Sequence, residues 1–148
     1  MIALIQRVSF AQVTVDGRVV GRIDRGLLAL IGVQAPDCAA SAARLVDRVL
    51  GYRVFPDEAG RMNRSLTEVD GGLLLVPQFT LAADTRKGTR AGFSTAAAPE
   101  AAEALFRQMV DDARAKHPRV ATGEFGAHMR VALENDGPVT FWLEAHAS

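Results

Sequence analysis

Two short stretches place polar groups where backbone geometry is constrained: Pro77-Gln78-Phe79-Thr80-Leu81 and Asn135-Asp136-Gly137-Pro138-Val139-Thr140. The hydroxyl of Thr80 becomes a useful nucleophile only when a base takes its proton. The sequence offers no such base. The three histidines, His117, His128 and His146, are scattered, with no HExxH or other ligand spacing, so no metal and no cofactor are expected. Cys38 precedes a helical stretch that could lower its thiol pKa, but no histidine stands ready to serve it, and a quiet small residue is the simpler reading. Neither a G-x-S-x-G elbow nor a P-loop is present. Taken alone, Thr80 reads as an ordinary β-branched strand residue. A site can also work through backbone N–H groups aimed at developing negative charge, which leaves no side-chain signature. A strand that loses its pairing at Pro77 would suit that chemistry.

The second stretch lies between strand-like segments and reads first as a four-residue hairpin turn, since Asn, Asp, Gly and Pro all accept turn geometry. A turn does not require a Gly-Pro peptide. The rigidity of Gly137-Pro138 could also aim two consecutive carbonyl oxygens in one direction.

The elements that must hold these stretches follow from hydrophobic period. Residues Ile2 to Val15 read as a strand bent near Ser9-Phe10, with a turn at Asp16-Gly17 and a return strand from Arg18 to Ile23. The run Leu27 to Val33 is apolar on both faces and belongs in the middle of the fold. Ala42, Leu45, Val46, Val49 and Leu50 repeat at helical spacing, with Asp37 as the expected N-cap and Gly51 as the stop. Tyr52 to Phe55 reads as a short strand, Pro56 to Gly60 as a turn, and Met62 to Asp70 as an irregular connection. The strand Leu73 to Val76 follows, and Pro77 must cost it pairing on one side. Pro99 opens a second helix with the stripe Ala102, Leu105, Phe106, Met109, Val110 and Ala113, and Pro118 ends it. Phe125 to Leu133 and Val139 to Leu143 alternate as half-buried strands, and the tail Ala145 to Ser148 is expected to fray.

These elements describe a single α/β domain over residues 1–148: a mixed, largely antiparallel β domain, barrel-like or with sandwiched sheets, carrying two longer helices. Two helices are too few to cross over between seven or eight strands. At 148 residues and 49% hydrophobic content the chain can bury a real core. No apolar run approaches the ~20 residues of a membrane span, and the N-terminus lacks the pattern of a signal peptide. A cytoplasmic protein is expected, in keeping with the lone Cys38. The formal net charge of zero disfavours a protein that coats nucleic acid nonspecifically. Arg86-Lys87-Gly88-Thr89-Arg90 is the one local basic run, and its simplest reading is a solvated loop.

The two stretches occur together with the opening Met1-Ile2-Ala3-Leu4-Ile5-Gln6-Arg7-Val8, with Leu50-Gly51-Tyr52-Arg53-Val54-Phe55, with Ala82-Ala83-Asp84-Thr85 and with Phe141-Trp142-Leu143. In that order and at this length, the chain resembles the D-aminoacyl-tRNA deacylase family over nearly its whole extent. The resemblance implies a homodimeric editing hydrolase that cleaves the ester between a D-amino acid, or glycine, and the 3′-terminal adenosine of tRNA. It implies that Gly137-Pro138 is a cis peptide inserted into the partner's site, where its carbonyl oxygens face the substrate's α-amino group and exclude L-aminoacyl esters. Gln78, Phe79 and Thr80 would form the opposing catalytic wall, with backbone N–H groups on the oxyanion. Phe125 and Met129 would line the pocket, Arg7 and Asn135 would support the Gly-Pro loop, and Arg86, Lys87 and Arg90 would meet acceptor-end phosphates. The missing base favours assistance by the ribose 2′-hydroxyl and a water, with Thr80 positioning. Two departures stand out: Pro77 where the family commonly has serine, and Arg90-Ala91-Gly92-Phe93 where it commonly has Arg-Pro-Ser-Phe. Two other readings stay open at this stage. One is a module that grips an RNA 3′ end without hydrolysis, and the other is a Thr80-dependent hydrolase of small D-amino-acid esters.

Overall fold

The computed structural model describes residues 1–147. Its longest elements are β1 (Ile2–Val15) and β8 (Arg130–Glu144), which pair antiparallel from Ile2↔Glu144 to Thr14↔Arg130. The opposite edge of β1 is shared. β3 (Gly26–Gly32) takes its first half and β2 (Arg18–Ile23) its second, both antiparallel. Between β1 and β2, Asp16 and Gly17 both adopt positive φ, 50° and 76°, the turn that matches strand twist. β6 (Gly72–Pro77) then pairs parallel to β3, and β7 (Val120–Thr122) parallel to β6. The expectation of a largely antiparallel sheet therefore holds, with two parallel pairings where the helices cross over. α1 (Ala39–Gly51) lies on the path from β3 to β6, and α3 (Pro99–Lys116) on the path from β6 to β7.

The sheet nearly closes into a barrel. Gly21 of β2 sits so near β7 that a Cβ there would come within 2.3 Å of the Thr122 carbonyl oxygen, so only glycine lets the two edges meet.

One extra residue in β1 decides which face each side chain takes. Met1, Ala3 and Ile5 pack toward the helices, whereas Ala11, Val13 and Val15 pack into the barrel interior with Leu28, Leu74 and Val76. The register with β8 shifts between Val8 and Phe10, and a one-residue insertion there exchanges odd for even positions. This is the bend expected near Ser9-Phe10. The helix side is filled by the two expected stripes, Ala42, Leu45, Val46, Val49 and Leu50 of α1 against Phe106, Met109, Val110 and Ala113 of α3. β3 and β6 are covered on both faces, as their continuous apolar runs require.

Several expectations need correction. The N-cap of α1 is Cys38, whose backbone N–H donates to Ser41 Oγ at 3.2 Å. Asp37 is committed elsewhere: its carboxylate accepts the Met1 ammonium at 2.7 Å and the Gln34 N–H at 2.7 Å. Tyr52 to Val54 form no strand. Phe55–Pro56 (β4) pairs instead with Met62–Arg64 (β5). The connection expected to be irregular contains that strand and a short helix, α2 (Leu66–Val69), which starts with a Ser65/Glu68 capping box. The last strand pair is a single β8 that begins at Arg130, so Phe125 to Met129 precede it as irregular chain. Ala145 is not frayed. It is 5% exposed, its N–H donates to the Met1 carbonyl, and its own carbonyl accepts the Met1 ammonium. Ser148 lies outside the described residues. Among the described residues no helix is long and apolar enough to cross a membrane.

The Met1–Asp37 pair is almost wholly enclosed, 0% and 3% exposed at its side chains. Removing one partner of such a pair strands the other charge. Asp37→Ala is expected to lower unfolding free energy by about 3 kcal/mol in a urea titration. Gly21→Val, which forces β2 away from β7, should cost about 2 kcal/mol in the same assay, with the m-value unchanged.

Candidate functional site

Pro77 ends β6 for a reason visible in its hydrogen bonds. Leu73 N–H and the Leu75 carbonyl bond to the β7 side, at Arg119 O and Gly123 N, while Gln78 N–H turns the other way to Ile31 O at 2.7 Å. Position 77 thus faces β7 just beyond its last residue, and a residue with no N–H leaves no orphan donor there. The chain then folds into a 3-10 turn, Phe79–Ala82, closed by Leu81 N–H to Gln78 O at 3.2 Å and Ala83 N–H to Thr80 O at 3.2 Å. Thr80 is therefore in a turn, not in a strand. As the first N–H groups of that turn, those of Phe79 and Thr80 have no backbone acceptor among the described residues. They are free to serve an external oxygen.

A cleft of about 430 Å³ opens beside this turn. Gln78 and Phe79 form one side of it, Phe125, Ala127 and Met129 another, and Val76, Pro77 and Val131 add to its apolar lining. Phe125 is braced by Phe106 of α3, ring centres 6.4 Å apart, and the sulfur of Met129 accepts the Glu124 N–H at 3.4 Å. The volume falls within the roughly 300–1,000 Å³ of small-molecule sites. Thr80 sits at the edge of this arrangement: it lines a neighbouring cleft with Thr85, Thr95 and Trp142, and its hydroxyl accepts a hydrogen bond from Gln78 Nε2 at 2.5 Å.

No histidine reaches the cleft. His117 is buried near the start of β6, where Nε2–H donates to the Gly71 carbonyl at 2.6 Å. That is about 20 Å from Gln78 at ~3.3 Å per strand residue. His128 is exposed, and His146 lies 3.3 Å from Glu144. Among the described residues no three His, Cys, Asp or Glu side chains gather at metal-binding spacing. Cys38 is exposed, and hydrogen bonds from Ser41, backbone first, hold its thiol below its ordinary value.

The Asn135–Thr140 stretch is not a hairpin. Both halves of β8 pair with β1 in one direction. Between Gln6↔Thr140 and Val8↔Asn135, β1 advances two residues while β8 advances five. The surplus must leave the sheet as a wide bulge. Asn135 spans its base, with Oδ1 accepting the Val139 N–H at 3.0 Å and Nδ2 donating to Thr140 Oγ1 at 2.8 Å. Arg7, only 14% exposed, holds it from below: Nε donates to the Asp136 carbonyl at 3.0 Å and Nη1 to the Val54 carbonyl at 2.7 Å. Gly137 has φ 131°, a conformation that favours glycine, and a Cβ on it would come 2.9 Å from Arg7 Nη2 and press on the guanidinium that braces the bulge. The Gly137-Pro138 peptide is cis, and both residues are exposed.

The structure thus brings Gln78, Phe79, Phe125 and Met129 to one cleft and Arg7 and Asn135 to the bulge. It does not bring Gly137-Pro138 to the cleft of its own chain. Of β8, only Val131 lines the cleft, six residues before Gly137. In the basic loop, Arg86 is paired with Asp84 at 2.9 Å and holds that carboxyl down at about 2, while Lys87 and Arg90 are exposed. Two contacts had no signal in local patterning. Phe93 packs against Phe79 with centroids 5.4 Å apart and the rings tilted by 38°, both on the surface, and Val54 is Arg7's second acceptor. In the sequence Phe93 is marked only by its place in the Arg90-Ala91-Gly92-Phe93 loop.

Comparison with known proteins agrees over the full length. A family model described as D-Tyr-tRNA(Tyr) deacylase matches residues 4–144. A D-aminoacyl-tRNA deacylase of Alkalilimnicola ehrlichii is 66% identical over 148 residues, covering 100% of this chain and 99% of the relative. One from Thioalkalivibrio sulfidiphilus is 67% identical over 144 residues, 97% of each chain. Among solved structures, the c-Myc DNA unwinding element binding protein superposes with a TM-score of 0.94 at 36% identity, covering 99% of this chain and 100% of that one. A eukaryotic protein described as a probable D-amino acid tRNA deacylase shares the fold, with a TM-score of 0.83 at 20% identity over 97% and 98% of the two chains. By sequence over its whole length, and with the same fold in solved relatives, the chain belongs to the D-Tyr-tRNA(Tyr) deacylase family.

Proposed function

We propose that this protein hydrolyses the ester bond of D-aminoacyl-tRNA, and of glycine mischarged on tRNA, as a homodimer whose two sites are each completed by the partner's Gly137-Pro138. The observation that carries the dimeric reading is the separation of the motifs: the apolar cleft of Gln78, Phe79, Phe125 and Met129 is open, and the braced, exposed Gly-Pro bulge is not part of its lining. A second copy brings one to the other.

In this site the aminoacyl end lies against the 3-10 turn. The N–H groups of Phe79 and Thr80 receive the carbonyl oxygen as it becomes an oxyanion, the charge for which preset donors matter most. Water attacks the carbonyl carbon, the bond to the ribose 3′-oxygen breaks, and a proton passes to that oxygen, leaving free amino acid and tRNA. With no side-chain base at the cleft, the neighbouring ribose 2′-hydroxyl relays the proton. Thr80, tied to Gln78, positions the wall. The Gly137 and Pro138 carbonyls accept from the α-ammonium and leave no room for an L side chain. Shape contacts alone separate similar groups by only ~1–3 kcal/mol, so a rigid backbone wall is the more effective filter. It reads chirality without reading side-chain identity. Lys87 and Arg90 meet acceptor-end phosphates, and Arg86 joins them from its pairing with Asp84. The reaction belongs in the compartment of translation.

The first experiment tests the chirality of the reaction and the help that the terminal ribose gives it. Purified protein is expected to cleave D-Tyr-tRNA and spare L-Tyr-tRNA, with no effect of chelator and with loss of activity on a D-ester whose terminal ribose lacks the 2′-hydroxyl. Equal cleavage of the two tyrosyl esters would overturn the backbone wall, and full activity without the 2′-hydroxyl would overturn its part in the reaction. Thr80→Val should keep kcat within about tenfold, whereas loss of a nucleophile would cost far more, on the order of 10⁴-fold or greater. Arg7→Ala, which frees the bulge by removing two charge-assisted hydrogen bonds, should lower kcat/KM for the D-ester by about 10- to 100-fold and narrow the preference over the L-ester.

A further inference from the structure

Arg7 does more than hold the Gly-Pro bulge. Its second acceptor, Val54, stands at the root of the β4–β5 hairpin, and the Val54 N–H donates to the Arg64 carbonyl at 3.1 Å. One foot of the hairpin and the bulge therefore meet at the Arg7 guanidinium, and the other foot is tied to the first through Val54. The hairpin tip is firmly built. The Asp57 carboxylate accepts from Asn63 Nδ2 at 2.9 Å and from the N–H groups of Arg61 and Ala59 at 3.0 and 2.9 Å, while Asp57 N–H donates to the Arg61 carbonyl at 2.8 Å. Arg64 is neutralised by Glu58. Arg53 and Arg61 are exposed, and among the described residues neither takes part in an ion pair. Met62, the first residue of β5, is 46% exposed.

We propose that the β4–β5 hairpin is an RNA-contacting arm, in which Arg53 and Arg61 meet backbone phosphates of the same aminoacyl-tRNA whose aminoacyl end faces Gly137-Pro138. This rests on the reading of Gly137-Pro138 given above. Because Arg7 joins the hairpin to the bulge, whatever the bulge faces lies beside the hairpin too. With the net charge at zero, no global field draws RNA to the protein, and attraction must come from local unpaired cations. Guanidinium groups suit phosphate oxygens through paired N–H donors. The flexible Met62 side chain offers an adaptable apolar contact to sugar or base.

The test compares two substrates, full-length D-Tyr-tRNA and the D-tyrosyl ester of adenosine, which has no phosphate. Arg53→Ala, Arg61→Ala and the double variant are assayed between 50 and 200 mM salt. On tRNA, KM is expected to rise several-fold and the log–log salt slope to flatten by about 0.7–0.9 per arginine. The kcat value and the melting temperature should stay at the parent's, and Arg61→Lys should restore most of the lost affinity. On the adenosine ester the variants should match the parent. Unchanged KM and salt slope on tRNA would overturn the proposal, as would equal losses on both substrates, which would show that the hairpin acts only through structure. If the parent cleaves neither ester, the proposed function itself falls and this inference falls with it.

Discussion

Both halves of β8 are hydrogen-bonded to a single strand, β1, and that double pairing obliges the surplus residues between them to leave the sheet. The Gly-Pro segment is exposed because ladder bonds on either side fix the distance it must span, not because a loop happens to wander there. A backbone pinned at both ends can present carbonyl groups at fixed positions without help from a bound ligand. Asn135 and Arg7 then satisfy the polar groups the bulge would otherwise leave unpaired. Gly137, at φ 131°, takes a backbone conformation that side-chain-bearing residues rarely adopt.

The same strand organises the rest of the molecule. Its bend at Ser9 turns the second half of β1 into the barrel and leaves the first half under the helices, so one strand serves two cores. The parallel strands β3 and β6 run side by side between those cores and end together at Ile31 and Pro77. There the sheet loses its β7 neighbour, and the freed end curls into the 3-10 turn that borders the apolar cleft. A proline at that position closes the strand without a buried unsatisfied donor. The cleft is consequently walled by rigid elements on most sides: the end of β6, the start of α3, and the chain entering β8.

Electrostatics plays a local part in this protein. A chain with no net charge relies on individual cations, and most of its arginines have intramolecular work. Arg44 and Arg48 bond to the His146 and Glu144 carbonyls of the C-terminal segment, Arg25 lies over the Phe55 ring, and Arg86 is tied to Asp84. The exposed guanidinium groups without a hydrogen bond, ion pair or ring partner among the described residues are those of Arg18, Arg53, Arg61, Arg90, Arg114 and Arg130, and of these only Arg53 and Arg61 belong to the hairpin that Arg7 ties to the bulge.

What the sequence determined by itself is what depends on near neighbours. The stripes Ala42–Leu50 and Ala102–Ala113, the Asp16-Gly17 turn, the doubly buried runs of β3 and β6, and the stop at Pro77 all follow from period and residue chemistry, and the motif pair was enough to identify the family. Whatever depended on partners distant in the chain was decided by the tertiary structure. Asp37 reads as an N-cap until the Met1 ammonium, 36 residues earlier, claims its carboxylate. Asn135–Thr140 reads as a hairpin turn because its residues favour turns. Only the register against β1 shows that the flanking strands run in one direction and that the segment is a bulge. Thr80 looks like a strand residue until the loss of pairing beyond Leu75 lets the chain curl. Phe93 on Phe79 and Val54 on Arg7 are contacts across 14 and 47 residues, and no local periodicity carries a signal for pairings that the folded backbone alone brings within bonding distance.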